Sequence, residues 1–185
     1  MYTLPNLLTM GRIVMIPLIV ALLFFPSDLF RWIALLLYTV ACVTDYYDGK
    51  LAREMKLVSP FGRFLDPIAD KLLVAAVIVM LVANRDISDL ALLPAMVILC
   101  REILVSGLRE YLAELRVPMP VSHLAKWKTT VQMIAFGVLI VGPALPQLFL
   151  SEIGIALLWV AAILTLVTGY DYLLRGLRHM RAEEK

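Results

Sequence analysis

Long apolar runs are the feature that most restricts the folds open to this chain. They recur near residues 6–26, 31–50, 61–83, 89–112, 124–147 and 152–174. Each is about as long as the roughly 20 apolar residues that a helix needs to cross a bilayer. Because 62% of the 185 residues are hydrophobic and only 17% are charged, a water-soluble globule is excluded. The sequence predicts an all-α, polytopic membrane protein, with six transmembrane helices in a single domain over residues 1–185.

Basic residues are concentrated in alternate connections between these spans. They lie between the second and third spans, between the fourth and fifth, and after the sixth, whereas the other connections carry few. Short loops rich in Lys and Arg stay on the cytoplasmic side of a membrane, so both termini are expected in the cytoplasm. The formal net charge of only +2 does not indicate a basic surface for binding nucleic acid.

Four aspartates interrupt the second and third spans. Asp45 and Asp48 end one apolar run, and Asp66 and Asp70 begin the next. A charged group at membrane depth costs at least ~2.5–3.5 kcal/mol, and four carboxylates also repel one another. At about 100° per residue each pair shares one helix face, and the short connection predicts antiparallel neighbours whose acidic faces meet. Such an oxygen-only site suits Mg²⁺ or Mn²⁺ rather than zinc.

Small residues and a cation accompany these acids. Gly49, Ala52 and Gly62 leave room for a flat or phosphorylated ligand against the backbone. Arg53 adds a fork-shaped cation that suits phosphate oxygens. Close helix packing or a membrane-edge position would explain any one of these residues alone. Neither explanation accounts for acids, glycines and an arginine that occur together at matched helical spacing.

The acidic segment resembles the signature of the CDP-alcohol phosphotransferase family. That signature reads D-x-x-D-G-x-x-A-R, eight residues, then G-x-x-x-D-x-x-x-D. Its fixed positions are all matched within residues 45–53 and 62–70. Flanking segments, such as Pro5 to Thr9 and Lys126 to Thr129, are similar to bacterial members that make phosphatidylglycerophosphate, and members that make cardiolipin share part of them.

The resemblance implies an enzyme of phospholipid biosynthesis in the inner membrane of a bacterium, with its active site facing the cytoplasm. It implies transfer of the phosphatidyl group of CDP-diacylglycerol to sn-glycerol 3-phosphate with release of CMP, by a homodimer. Asp70 would be the general base. The two divalent ions of the family would be held by Asp45, Asp48, Asp66 and Asp70. The residues expected to bind CDP-diacylglycerol are Thr44, Gly49, Ala52, Arg53 and Gly62.

A phosphorylated acceptor needs fixed cations in its pocket. Arg101 lies in a mostly apolar stretch beside Glu102, and Arg109 follows about two turns later. We expect the acceptor phosphate to contact Arg101, Arg109, Lys126 and Lys128. The two lysines differ by about 200° on a helix, so both reach one phosphate only from irregular backbone. Ordinary anchoring at the membrane surface is the alternative for Arg109 and both lysines.

Two other functions remain open at this point. One is the same chemistry on another acceptor, either phosphatidylglycerol, which gives cardiolipin, or an inositol phosphate. The other is transport of divalent cations, since acids within membrane spans often mark ion paths. Transporters usually place such sites near the midplane between repeats, whereas here the acids lie at one end of their spans and no repeat is visible.

Overall fold

The computed structural model describes residues 4–54, 60–115, 117 and 122–183. Over these residues the chain forms six α-helices and no strand, which confirms the all-α class. The helices are α1 (Leu4–Phe24), α2 (Asp28–Glu54), α3 (Pro60–Ala83), α4 (Leu92–Glu114), α5 (His123–Val141) and α6 (Leu150–Glu183). Short 3₁₀ turns lie at Asp89–Ala91, Gly142–Ala144 and Pro146–Leu148.

Four of these helices, over their described residues, are long and apolar enough to cross a membrane: α1, α4, α5 and α6. The other two, α2 and α3, are the helices that carry the four aspartates. They contain 27 and 24 residues, which is more than the roughly 20 that a span requires. The six predicted helices are therefore present, and the apolar criterion is met by four.

The helices pack in two groups that contact each other at three places. α1 packs against both α2 and α3, and α6 packs against both α4 and α5. The groups meet where α2 packs against α5 and where α3 packs against α4 and α5. Over their described residues, α2 and α3 make their main contacts with α1 rather than with each other. Among the described residues, the two acidic helices are therefore brought together mainly by α1.

The apolar core lies where the helices cross. Ile98 of α4, Phe136 of α5 and Leu158 of α6 are fully buried there. Gly154 lets α6 approach α5 closely, because a Cβ at this position would lie 2.7 Å from Cγ of Leu139. Large apolar side chains stay exposed on the outer faces, as lipid contact requires, among them Leu18, Val79 and Ile163.

An ion pair links helices at the end of the bundle opposite to the acidic motif. Arg31, near the start of α2, donates to Asp86 from Nη1 over 2.9 Å and from Nη2 over 3.1 Å. Its Nη1 also donates to the carbonyl of Ile140 over 3.0 Å. Burial raises the pKa of Asp86 above its ordinary value, and the bonds from Arg31 oppose that rise. The pair joins α2, the connection between α3 and α4, and the end of α5.

Candidate active site

α1 presents buried polar side chains to the acidic helices. Thr9 and Arg12 lie three residues apart on α1, and each is 1% exposed. Arg12 forms an ion pair with Asp45 of α2, with 2.6 Å between Nη1 and Oδ1. Thr9 donates from Oγ1 to Oδ1 of Asp66 of α3, also over 2.6 Å. Residues three apart share a helix face, so the two carboxylates converge on one stripe of α1.

Asp70 lies one turn beyond Asp66 on α3 and faces a different set of partners. Its Oδ2 accepts a hydrogen bond from Nζ of Lys71 over 2.8 Å. It also lines a cavity that side chains of α4, α5 and α6 help to form. Asp70 therefore connects the acidic motif to the opposite group of helices.

The remaining residues of the motif lie on described helix backbone. α2 continues without a break to Glu54, so residues 45, 48, 49 and 52 share one helix face, as the spacing predicts. The side chains of Asp48, Ala52 and Arg53 lie outside the described part of the structure. Thr44 donates its hydroxyl to the carbonyl of Ala41 over 3.0 Å, and Gly62 is buried near the start of α3. Their roles in binding the nucleotide end of a substrate stay predictions.

The donor chemistry of the motif fits a hard divalent cation. Its ligands are carboxylate oxygens alone, which Mg²⁺ and Mn²⁺ prefer. Among the side chains that the structure describes, no three His, Cys, Asp or Glu residues are close enough to hold a metal ion. Asp45, Asp66 and Asp70 instead have Arg12, Thr9 and Lys71 as individual partners. A shared cation would replace these separate contacts.

A second cluster is built around one buried carboxylate, Glu102 of α4, which is 4% exposed. Lys71 of α3 approaches its Oε2 to 2.5 Å, and Arg101 approaches its Oε1 to 3.3 Å. Lys128 of α5 donates to the same Oε1. One buried anion therefore holds cations from three helices, which offsets the cost of burying them.

The cavity beside Asp70 has a volume of about 160 Å³ and collects the charged residues of this cluster. Its wall includes four cationic side chains, Lys71, Arg101, Arg109 and Lys128. It includes two carboxylates, those of Asp70 and Glu102. Four positive charges against two negative ones leave a formal excess of two positive charges. An anion with two negative charges would balance it.

α6 supports the two arginines of the cavity. The guanidinium carbons of Arg101 and Arg109 lie 5.8 and 5.6 Å from the ring centroid of Tyr172, within cation–π distance. Nη2 of Arg101 also donates to Oγ1 of Thr168 over 3.0 Å. A Cβ at Gly169 would lie 3.1 Å from Cγ of Arg101, so the glycine gives the arginine stem room. Sequence reasoning missed this support because Thr168, Gly169 and Tyr172 carry no charge and belong to no motif.

The structure brings together three of the four cations that were predicted to bind a phosphate. Arg101, Arg109 and Lys128 line one cavity with Asp70. Lys126 is exposed on α5, whereas Lys128 is 3% exposed. Since α5 is a regular helix from His123 onward, the two lysines point in different directions. The predicted conflict between them is resolved in favour of Lys128 as the side chain that reaches the cavity.

Comparison with known proteins finds one matching family model and several similar bacterial proteins. A family model described as CDP-alcohol phosphatidyltransferase matches residues 2–167. A Rickettsia bellii protein is 48% identical over 91% of this chain and 92% of its own length. Proteins of Shigella flexneri serotype 5b (42% identity, 93% of each chain) and Cereibacter sphaeroides (35%, 99% of each) are also similar. All three are named CDP-diacylglycerol–glycerol-3-phosphate 3-phosphatidyltransferase.

Replacement of the central carboxylate tests the charge cluster. Glu102→Gln keeps the size of the side chain but removes the anion shared by three cations, of which Lys128 is buried. We expect the free energy of unfolding to fall by about 3–5 kcal/mol, measured by thermal unfolding of the purified protein in detergent. The matched control is Glu110→Gln on the exposed face of the same helix, which should change it by less than about 0.5 kcal/mol. Equal melting temperatures for the two variants would refute the role given to Glu102.

Proposed function

The chain belongs to the CDP-alcohol phosphatidyltransferase family, and we propose that it transfers the phosphatidyl group of CDP-diacylglycerol to sn-glycerol 3-phosphate. The products are phosphatidylglycerophosphate and CMP, which makes it an enzyme of phospholipid biosynthesis. Relatives that are 35–48% identical over most of the chain are named for this reaction. The structural observation that carries the proposal is the cation-lined cavity that adjoins Asp70.

The charge of this cavity favours a phosphorylated acceptor. A phosphate monoester carries about −1.5 to −2 charges at neutral pH, which matches the excess of two positive charges in the wall. The free end of phosphatidylglycerol is an uncharged glycerol and would leave that excess uncompensated. The volume of about 160 Å³ is also below the roughly 300–1,000 Å³ of pockets for drug-sized ligands. A small phosphorylated acceptor is therefore favoured over a lipid.

The acceptor phosphate binds to Arg101, Arg109 and Lys128 in this proposal. Arginine presents a planar fork of donors to phosphate oxygens, and lysine adds a point charge. Glu102 and the α6 side chains hold these cations in place before the acceptor arrives. Lys126 faces away from the cavity and serves as an anchor at the membrane surface.

Asp70 acts as the general base on the attacking hydroxyl. It lines the same cavity as the phosphate-binding cations, so an acceptor held by its phosphate presents a hydroxyl to this carboxylate. The hydroxyl oxygen bonds to the phosphorus of the phosphatidyl group, the bond from that phosphorus to CMP breaks, and the proton passes to Asp70. A carboxylate is a weak base, so positioning contributes more than basicity.

The acidic motif serves the nucleotide end of the reaction. Members of this family use divalent metal ions, and Mg²⁺ or Mn²⁺ suits a site made by Asp45, Asp48, Asp66 and Asp70. Two such ions would neutralise negative charge on the diphosphate and on the departing CMP. The same end of the lipid substrate contacts Thr44, Gly49, Ala52, Arg53 and Gly62.

The membrane arrangement follows from where the charges lie. All six helices cross the inner membrane of a bacterium, and the active site and both termini face the cytoplasm. Support comes from the basic connections, which flank the site end of the helices, and from the bacterial relatives. The whole chain is one catalytic domain. An open apolar groove of about 420 Å³ between α3 and α4 gives a second copy a surface on which to form a homodimer.

An acceptor panel tests the proposed reaction. Purified protein in detergent, supplied with Mg²⁺ and CDP-diacylglycerol, should release CMP when sn-glycerol 3-phosphate is added. Phosphatidylglycerol, an inositol phosphate and buffer alone should give little release under the same conditions. Failure to release CMP with glycerol 3-phosphate, or faster release with phosphatidylglycerol, would overturn the choice of acceptor.

The role of Asp70 has its own test. Asp70→Asn removes the proton acceptor, so turnover should fall by about 10²–10⁴-fold, while CDP-diacylglycerol still binds in a calorimetric titration with Mg²⁺. The control is Asp171→Asn at an exposed position of α6, which should keep the turnover of the wild type. Nearly normal turnover in Asp70→Asn would contradict the assignment.

A further inference from the structure

A buried amide in the cavity wall lacks a hydrogen-bond partner. Gln132 lies four residues after Lys128 on α5, is 3% exposed and lines the cavity. Within the described part of the chain, its Oε1 is buried and accepts no hydrogen bond. Since burial of an unsatisfied carbonyl oxygen is unfavourable, this oxygen is expected to meet a donor when the cavity is filled.

The surroundings of Gln132 restrict what that donor can be. The ammonium groups of Lys71 and Lys128 donate to Glu102, and Nη2 of Arg101 donates to Thr168. Nε of Arg101 and the hydroxyl of Tyr172, like Oε1 of Gln132, have no partner among the described residues. Tyr38 donates its hydroxyl to the carbonyl of Met133 over 3.3 Å, and Thr129 donates to the carbonyl of Ala125 over 3.1 Å. Neither hydroxyl hydrogen is directed to Gln132. No described donor of the wall bonds to Oε1 of Gln132 in this structure, so a donor carried by the molecule that fills the cavity would satisfy this oxygen.

sn-Glycerol 3-phosphate carries two hydroxyl donors. The ionised phosphate has only acceptor oxygens and is matched by the cations. The hydroxyl at C1 attacks the phosphatidyl group and loses its proton to Asp70. The hydroxyl at C2 takes no part in the reaction, and a neutral acceptor on the protein is what it requires.

We infer, on the basis of the proposed function, that Gln132 is the residue that selects the acceptor by its second hydroxyl. Its Oε1 accepts a hydrogen bond from the C2 hydroxyl, while the cations hold the phosphate and Asp70 receives the attacking hydroxyl. Three points of contact then fix the orientation of a small, flexible molecule. A site that is built to bond a hydroxyl rejects an analogue that lacks it, because the buried protein group is left unpaired.

A pair of acceptors that differ only at C2 tests this inference. The values of kcat/KM are measured for sn-glycerol 3-phosphate and for 1,3-propanediol monophosphate, which lacks the C2 hydroxyl. The wild type should prefer glycerol 3-phosphate by about 10–100-fold. Gln132→Met should reduce this preference to within about threefold, because activity falls on glycerol 3-phosphate and stays nearly constant on the deoxy acceptor. The matched control is Gln147→Met, an exposed glutamine at the other end of the bundle, which should keep the preference of the wild type.

Retained activity on the deoxy acceptor also shows that the variant is folded. A wild-type preference in Gln132→Met would overturn the inference, and so would an equal loss on both acceptors. If that variant does not stay monodisperse in detergent, Gln132→Asn gives the answer, since its shorter amide should lower the preference at least threefold. An unchanged preference there would overturn the inference too. Absence of CMP release by the wild type with glycerol 3-phosphate would instead refute the proposed function itself.

Discussion

The rest of the site depends on the ion pairs that the carboxylate of Glu102 forms. This carboxylate is buried within the helix bundle and holds cations contributed by α3, α4 and α5. Without an anion at this point, three positive charges would repel one another in a medium that screens them poorly. Arg109 adds a fourth positive charge to the cavity wall, and Asp70 is the only other carboxylate among the described residues that line it. The same contact therefore holds three helices together and leaves the cavity with an excess of positive charge.

Each of the two groups of helices supports a different part of the site. α1 supports the acidic motif, because Thr9 and Arg12 contact the carboxylates of Asp66 and Asp45. α6 supports the basic cavity through Thr168 and Tyr172, which hold its arginines. Asp70 belongs to the acidic motif and lines the basic cavity. A nucleotide diphosphate on one side and a phosphorylated alcohol on the other would thus meet at one carboxylate.

The features that could be predicted were those that depend on residues close in sequence. The six helices lie close to the predicted apolar runs, and three of the four cations chosen from spacing and charge line one cavity with Asp70. The position of α1 between α2 and α3 was not, because a contact between distant segments leaves no local pattern. Tyr172 was missed since a tyrosine near the end of a span is typical of a membrane interface. Which of Lys126 and Lys128 reaches the cavity could be decided only from the structure, in which α5 is helical throughout.

Equilibrium binding tests most directly whether the excess positive charge of the cavity binds the acceptor phosphate. Calorimetric titration of the Mg²⁺-loaded protein, without CDP-diacylglycerol, compares sn-glycerol 3-phosphate with glycerol. We expect saturable binding of the phosphate ester alone, weakened at least tenfold by Arg109→Gln, a loss of about 1.4 kcal/mol or more. Arg85→Gln, at the opposite end of the bundle, should leave it unchanged. Equal binding of glycerol, or an unchanged affinity in Arg109→Gln, would contradict the account.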